Sequence, residues 1–155
     1  MNETLVTVVG NVATEPETRV TATGVLTTRF RLATTSRRWD AERGAWTDGV
    51  TSFYTVRSWR NLAGNVKESV TLGEPLVVQG RLRIREEEKD SRRYLSAEID
   101  AVALGHDLTR GLSRFTRGSS AAVAVRADRA APTDRDDQPA DPFASAAPPP
   151  PVPVP

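Results

Sequence analysis

Two stretches of this chain alternate arginine with large apolar side chains: Arg29-Phe30-Arg31-Leu32 and Arg81-Leu82-Arg83-Ile84-Arg85. A period of two suits a strand, because successive side chains of an extended backbone leave it on opposite faces. Each stretch therefore predicts a strand with one apolar face for a core and one arginine face turned away from it. Between Phe53 and Trp59 the same period returns with aromatics, so that Phe53, Thr55, Arg57 and Trp59 share a surface.

The remaining pattern completes a small all-β domain. Leu5 to Val9 is an apolar strand closed by Gly10, and Thr21-Ala22-Thr23-Gly24 is a turn leading into a strand from Val25 to Thr34. Thr35 to Gly49 is polar and predicts a long loop before the Phe53 strand. Asn61 is a candidate N-cap, with Leu62, Val66 and Val70 on one helical stripe and Gly73 and Pro75 as its stop. Strands follow from Leu76 to Arg85 and from Tyr94 to Leu104, joined by a charged tip at Glu86 to Arg92. Five strands with one short helix between the third and fourth match an OB-fold, a five-stranded Greek-key barrel. Fold alone does not set the ligand.

Proline marks where this domain ends. Only Pro16 and Pro75 lie in the first 110 residues, and the other nine fall from Pro132 onward. Residues 1–110 are therefore read as the folded domain and residues 111–155 as a disordered, proline-rich tail. Apolar residues make up 38% of the whole chain, as such a tail would dictate. There is no cysteine, which removes disulfides, thiolate catalysis and cysteine-held zinc. The N-terminus has no basic region followed by an apolar stretch, and no apolar run could cross a bilayer, so a cytoplasmic, nucleoid-associated protein with no membrane partner is expected.

Net charge is only +1, so a polyanion would have to be gripped by a local stripe. Arg29, Arg31, Arg57, Arg81, Arg83 and Arg85 form one candidate stripe. Arginine is common on any solvated strand face, but here three strands repeat it and one adds Phe53 and Trp59. Flat rings stack unpaired bases whatever their identity, and arginine between them meets phosphate or a base plane. Trp39 and Trp46, beside Arg37, Arg38 and Arg43, are candidates for a basic flap, with Trp46 packed back onto the barrel as the alternative. Glu86-Glu87-Glu88 is a solvated tip rather than a metal site, because consecutive residues diverge. His106 is the only histidine, and no nucleophile–base pair or metal cluster is visible, so no catalytic residue, metal or cofactor is expected.

Several motifs together resemble the bacterial single-stranded DNA-binding proteins. They are Val9-Gly10-Asn11-Val12, Glu15-Pro16-Glu17-Thr18-Arg19, Phe30-Arg31-Leu32-Ala33-Thr34, Thr51-Ser52-Phe53, Val56-Arg57-Ser58-Trp59-Arg60-Asn61-Leu62-Ala63 and Val77-Val78-Gln79-Gly80-Arg81-Leu82. The likeness spans residues 1 to about 108. It implies an OB-fold homotetramer that binds single-stranded DNA during replication, recombination or repair. It places stacking rings at Phe53 and Trp59, puts the family's flap aromatic at Arg38 or Trp39 with Trp39 preferred, and leaves Arg60 on the binding side. The family's hairpin aromatic falls near Glu87, where an acid would repel phosphate. Asp136 to Phe143 resembles the acidic Pro-Phe segment that recruits repair and replication enzymes, but it is internal here, so no terminal phenylalanine carboxylate follows and recruitment by the tail is in doubt. Second copies of this kind are similar to those of actinobacteria. Three other readings stay open from the residues: a scaffold recruiting partners through its proline-rich tail, an RNA-binding OB module, and an OB-core enzyme.

Overall fold

The computed structural model describes residues 2–118. Its elements are β1 (Thr4–Val12), β2 (Glu17–Val20), β3 (Leu26–Asp40), β4 (Ala45–Trp59), α1 (Arg60–Ser69), β5 (Pro75–Lys89) and β6 (Arg92–His106). Five long strands close into a ring. β1 pairs β5, β5 pairs β6, β6 pairs β4, β4 pairs β3, and β3 returns to β1 through Asn11–Ala33 and Val12–Leu32. All contacts are antiparallel except β4–β6. This is the five-stranded OB arrangement expected from sequence. The short β2 is an addition, paired only along β3 outside the ring.

Closure requires the backbones of β1 and β3 to approach closely at Gly10. A methyl group there would sit 2.5 Å from the Ala33 carbonyl oxygen. The enclosed core consists of Val12, Phe30, Leu32, Val56, Val66, Val70, Leu76, Val78 and Ile99. The predicted helical stripe holds: Val66 and Val70 are buried and Leu62 packs against them. The Thr28 hydroxyl donates to the Ala63 carbonyl oxygen at 2.9 Å and pins α1 to β3.

Three local expectations are corrected. Trp59, not Asn61, occupies the N-cap position, with extended φ −131° and ψ 149°, and Asn61 lies within the first turn. Arg60 makes the junction at φ 58°, a left-handed conformation for which sequence pattern gives no warning. The Thr35–Gly49 stretch is not a loop, because β3 and β4 continue through it as a two-stranded ribbon that leaves only residues 41–44 as the turn. A ribbon that projects beyond the core needs no apolar face; it is held by cross-strand pairs instead. These include the Thr35–Thr51 hydroxyls at 2.9 Å, Arg37–Asp48 at 3.4 Å and the edge-to-face indoles of Trp39 and Trp46. The β5–β6 tip likewise shrinks to Asp90 and Ser91, both at positive φ (53° and 61°), the backbone of a type I′ turn.

Residues 111–118 carry no regular element and are exposed. The rest of the expected tail, including Asp136–Phe143 and the proline run, lies outside the described residues.

Candidate nucleic-acid interface

Val56 is sealed in the core, so its neighbours at odd positions of β4 lie on the outer face. Register assembles that face across strands. Ala33 opposes Phe53, Arg31 opposes Thr55, Arg29 opposes Arg57 and Thr27 opposes Trp59 on the β3 side. Glu98 opposes Thr55 and Asp100 opposes Arg57 on the β6 side, and Arg83 and Arg81 continue the rows on β5. Phe53 and Trp59 are both half-exposed, and neither belongs to the core. The rings predicted to be accessible are accessible.

Arg31 is tied to this aromatic surface. Its guanidinium carbon lies 5.0 Å from the Phe53 ring centroid, in cation–π range. Its Nε is buried without a hydrogen-bond partner, and burial pushes its pKa down from the ordinary arginine value. No carboxylate pairs with it among the described residues. A buried donor left unmade is costly, and a ligand oxygen arriving at this face would satisfy it.

Most of the other predicted arginines are placed differently from the sequence expectation. Arg57 is only 4% exposed and its Nη2 donates to Glu98 Oε1 at 3.2 Å. It braces the wall of the ring and does not present its guanidinium to solvent. The second oxygen of Glu98 takes Arg85 Nε at 2.8 Å. Arg83 pairs with Asp100 at 3.1 Å, Arg81 with Glu3 at 2.8 Å, Arg29 with Glu17 at 3.6 Å and Arg37 with Asp48 at 3.4 Å. Alternation along one strand shows the arginines but not the acids facing them: Glu3 ahead of β1, Glu17 on β2, Asp48 on β4, and Glu98 and Asp100 on β6. Among the predicted arginines, Arg31, Arg38 and Arg60 have no carboxylate partner among the described residues.

The Trp39–Trp46 pair sits on the same face through a bulge. Thr35 opposes Thr51 and Arg37 opposes Asp48, so β4 spends three residues where β3 spends two. The extra residue shifts the parity of β4, and Trp46 joins Trp39, Arg31 and Phe53 on one side. Gly49 permits it, since a Cβ there would meet Ser36 Oγ at 2.6 Å. The two indoles lie 5.7 Å apart at 72° and are 54% and 60% exposed, so Trp46 does not pack back onto the ring. Arg38 lies on the opposite face of the ribbon, which leaves Trp39 as the aromatic on the Phe53 side.

Arg60 is exposed, unpaired and adjacent to Trp59, yet holds a backbone that costs a non-glycine residue about 1–2 kcal/mol. Arg60→Gly should relieve that strain and leave thermal stability equal or higher, offset by about 0.5–1 kcal/mol of chain entropy. If the side chain meets a phosphate, the same variant should flatten the log–log salt dependence of strand affinity by about 0.7. An unchanged slope would remove Arg60 from the interface.

A second constellation joins residues that sequence reading left apart. His106 Nε2 lies 3.1 Å from Glu74 Oε2, and its Nδ1 lies 2.7 Å from Ser113 Oγ. The grouping resembles a nucleophile–base–acid row, but Ser113 is exposed on a segment without regular structure. It acts as a fastener between the β5 entry and the segment beyond β6. Burial raises the Glu74 pKa, but the Thr71 amide and His106 outweigh it, so the net shift is downward. The carboxylate contact is therefore present above the ordinary glutamate pKa and is lost as pH falls through the lower folded value. A Glu74 carboxyl titration by NMR should have its midpoint below that of an ordinary glutamate, and a midpoint at or above it would contradict the contact. Among the described residues no three His, Cys, Asp or Glu side chains come together to hold a metal.

A closed OB ring with accessible aromatic rings on its outer wall is the kind of fold that binds oligonucleotides or oligosaccharides. Residues 2–107 match the single-strand binding protein family, and the chain belongs to it. It is 55% identical over 120 residues to single-stranded DNA-binding protein 2 of Streptomyces avermitilis, covering 77% of this chain and 75% of that one. It is 53% identical over 117 residues to single-stranded DNA-binding protein 1 of Streptomyces coelicolor, covering 76% and 74%. The crystal structure of a small single-stranded DNA-binding protein from Streptomyces coelicolor superposes with a TM-score of 0.66 at 53% identity, over 72% of this chain and all of that one. The expected resemblance to an actinobacterial second copy is thereby supported.

Proposed function

We propose that this protein binds single-stranded DNA without catalysis and largely without sequence preference, covering strands exposed in replication, recombination or repair. The observation that carries this reading is the Arg31 guanidinium over a half-exposed Phe53, with Trp59 further along the same strand face. Family membership and the Streptomyces relatives support it. Bases would lie on Phe53 and Trp59, with Trp39 and Trp46 extending the track along the ribbon. Phosphates would be met first by Arg31 and Arg60, whereas Arg29, Arg37, Arg81, Arg83 and Arg85 would first have to leave their carboxylates, and Arg38 lies on the far face of the ribbon. Arg57 holds the wall behind them.

The chain acts as a homotetramer in this reading. Leu5 and Val9 on β1 are 60% and 50% exposed and Val102 on β6 is 57% exposed, apolar surface that further copies would cover. Light scattering should give the mass of four chains. No helix among the described residues is long and apolar enough to cross a membrane, which is compatible with work at the nucleoid.

The test is fluorescence anisotropy of labelled oligo-dT against salt, with matched RNA and duplex as competitors. The two unpaired arginines on this face, Arg31 and Arg60, correspond to a log–log slope of roughly −1.4 per protomer on single strands. Duplex that competes as well as oligo-dT would overturn the reading, and RNA that competes better would transfer it to RNA.

A further inference from the structure

Beyond β6 the chain leaves the ring at the end where the Phe53–Trp59 face also runs out. β4 and β6 are parallel, with Arg57 opposite Asp100. From that pair β4 continues to Trp59 and β6 to His106. The segment after β6 therefore starts on the Trp59–Arg60 side of the ring, roughly 13 Å of strand beyond Trp59. Residues 107–117 would span about 36 Å when extended, enough to return to that ring.

Local bonds hold the segment at this end. The Asp107 amide donates to the Pro75 carbonyl oxygen at 2.9 Å, and the Arg110 amide donates to the Asp107 carbonyl oxygen at 3.1 Å. Asp107 Oδ1 accepts the Thr109 hydroxyl at 2.7 Å and the Thr109 amide at 3.0 Å. These bonds hold the Asp107 carboxyl below its ordinary pKa, and no other acid lies between residues 107 and 117. Ser113 then returns to His106 Nδ1 at 2.7 Å, with Glu74 bracing the imidazole from the other side at 3.1 Å.

Around these ties the segment displays Arg110, Arg114 and Arg117, all exposed. Asp107 attracts Arg110 without forming an ion pair, and none of the three has a carboxylate partner among the described residues. Three such cations in so short a stretch exceed the two, Arg31 and Arg60, on the Phe53–Trp59 face. Phe115, 87% exposed, stands between Arg114 and Arg117. An irregular arginine-rich chain with an interleaved ring suits a single strand, because the guanidiniums follow phosphates and the ring stacks a base.

We propose that residues 107–117 are a second strand contact, a basic arm whose Arg110, Arg114 and Arg117 take phosphates, with Phe115 against a base, where the strand passes beyond Trp59. The proposal rests on the reading of the Phe53–Trp59 face as a strand-binding surface. The arm supplies the charge that this face, with most of its arginines paired, lacks.

The test uses the full chain and a triple variant, Arg110→Gln, Arg114→Gln and Arg117→Gln, on exposed chain that the core does not need. With five contacts the parent should lose about 130-fold in oligo-dT affinity between 50 and 200 mM salt, and the variant only about sevenfold. Oligo-dT carrying 5-bromouracil, irradiated on the parent and digested, should give adducts at Phe115 as well as at Trp59. Equal salt losses in parent and variant, or an adduct at Trp59 with none in residues 107–117, overturn the arm and leave the Phe53–Trp59 reading intact. A parental salt loss joined to a lower mass by light scattering also overturns it, and assigns the segment to a second copy of the chain. Absence of adducts at both rings sinks the arm and the face together.

Discussion

Trp59→Ala is expected to lower affinity for oligo-dT by about five- to 150-fold, the equivalent of about 1–3 kcal/mol for one stacked base. The ring is half-exposed at the end of β4, on the face opposite the core, so its removal takes away contact area with a ligand rather than filling of the interior. It does shelter the opposing Thr27, which is fully buried with an unpartnered Oγ1. A small loss of thermal stability should therefore accompany the loss of binding, and Trp59→Leu separates the two effects. Phe53→Ala should cost a similar amount and also release Arg31 from its ring. Six strand residues separate the rings, about 20 Å, so the two effects should add within a few tenths of a kcal/mol. Binding isotherms on the two single variants and the double variant check this. A Trp59→Ala protein with parental affinity would remove the ring from the interface.

Glu98→Ala is expected to destabilise the fold by about 3–5 kcal/mol. Its carboxylate is 6% exposed and is shared between Arg57 at 3.2 Å and Arg85 at 2.8 Å. Removing the acid leaves Arg57, 4% exposed, as a buried cation without this compensating charge. The three residues tie β4, β6 and β5 together at the one parallel contact of the ring. Glu17→Ala offers the contrast. Its pair with Arg29 is longer, at 3.6 Å, and its side chain is 55% exposed, so its removal should cost less than about 1 kcal/mol. Urea unfolding should show a lower midpoint with unchanged slope for Glu98→Ala and almost no shift for Glu17→Ala. Equal effects would mean that burial does not set the worth of these pairs.

Much of the fold is legible because period-two alternation is a local property. Arg29 to Leu32, Phe53 to Trp59 and Arg81 to Arg85 each announce a strand and its outward face without reference to any neighbour. The outward parity of Phe53 and Trp59 is therefore readable without any tertiary contact. What depends on register was not legible. Glu98 and Asp100 neutralise Arg85 and Arg83 only because β5 and β6 align them, and Arg57 is buried only because β6 runs beside β4. The ribbon from Thr35 to Gly49 reads as a loop since it has no core to face and hence no apolar stripe. Its bulge, which turns Trp46 to the side of Phe53, depends on where β3 and β4 slip past each other near Gly49. The left-handed backbone of Arg60 left no trace in the pattern at all.

In the proposed reading, stacking outweighs charge on the Phe53–Trp59 face. A face whose arginines mostly hold acids gains little from counterion release, since each phosphate that captures Arg83 or Arg85 strands a carboxylate. The rings pay no such cost.

The most direct measurement is the fluorescence of a protein in which Trp39→Phe and Trp46→Phe leave Trp59 as the sole indole. Titrated with oligo-dT, its emission should be quenched to a saturating plateau that coincides with binding followed by anisotropy. Binding that proceeds to saturation with the emission of Trp59 unaltered would show that the strand takes another path.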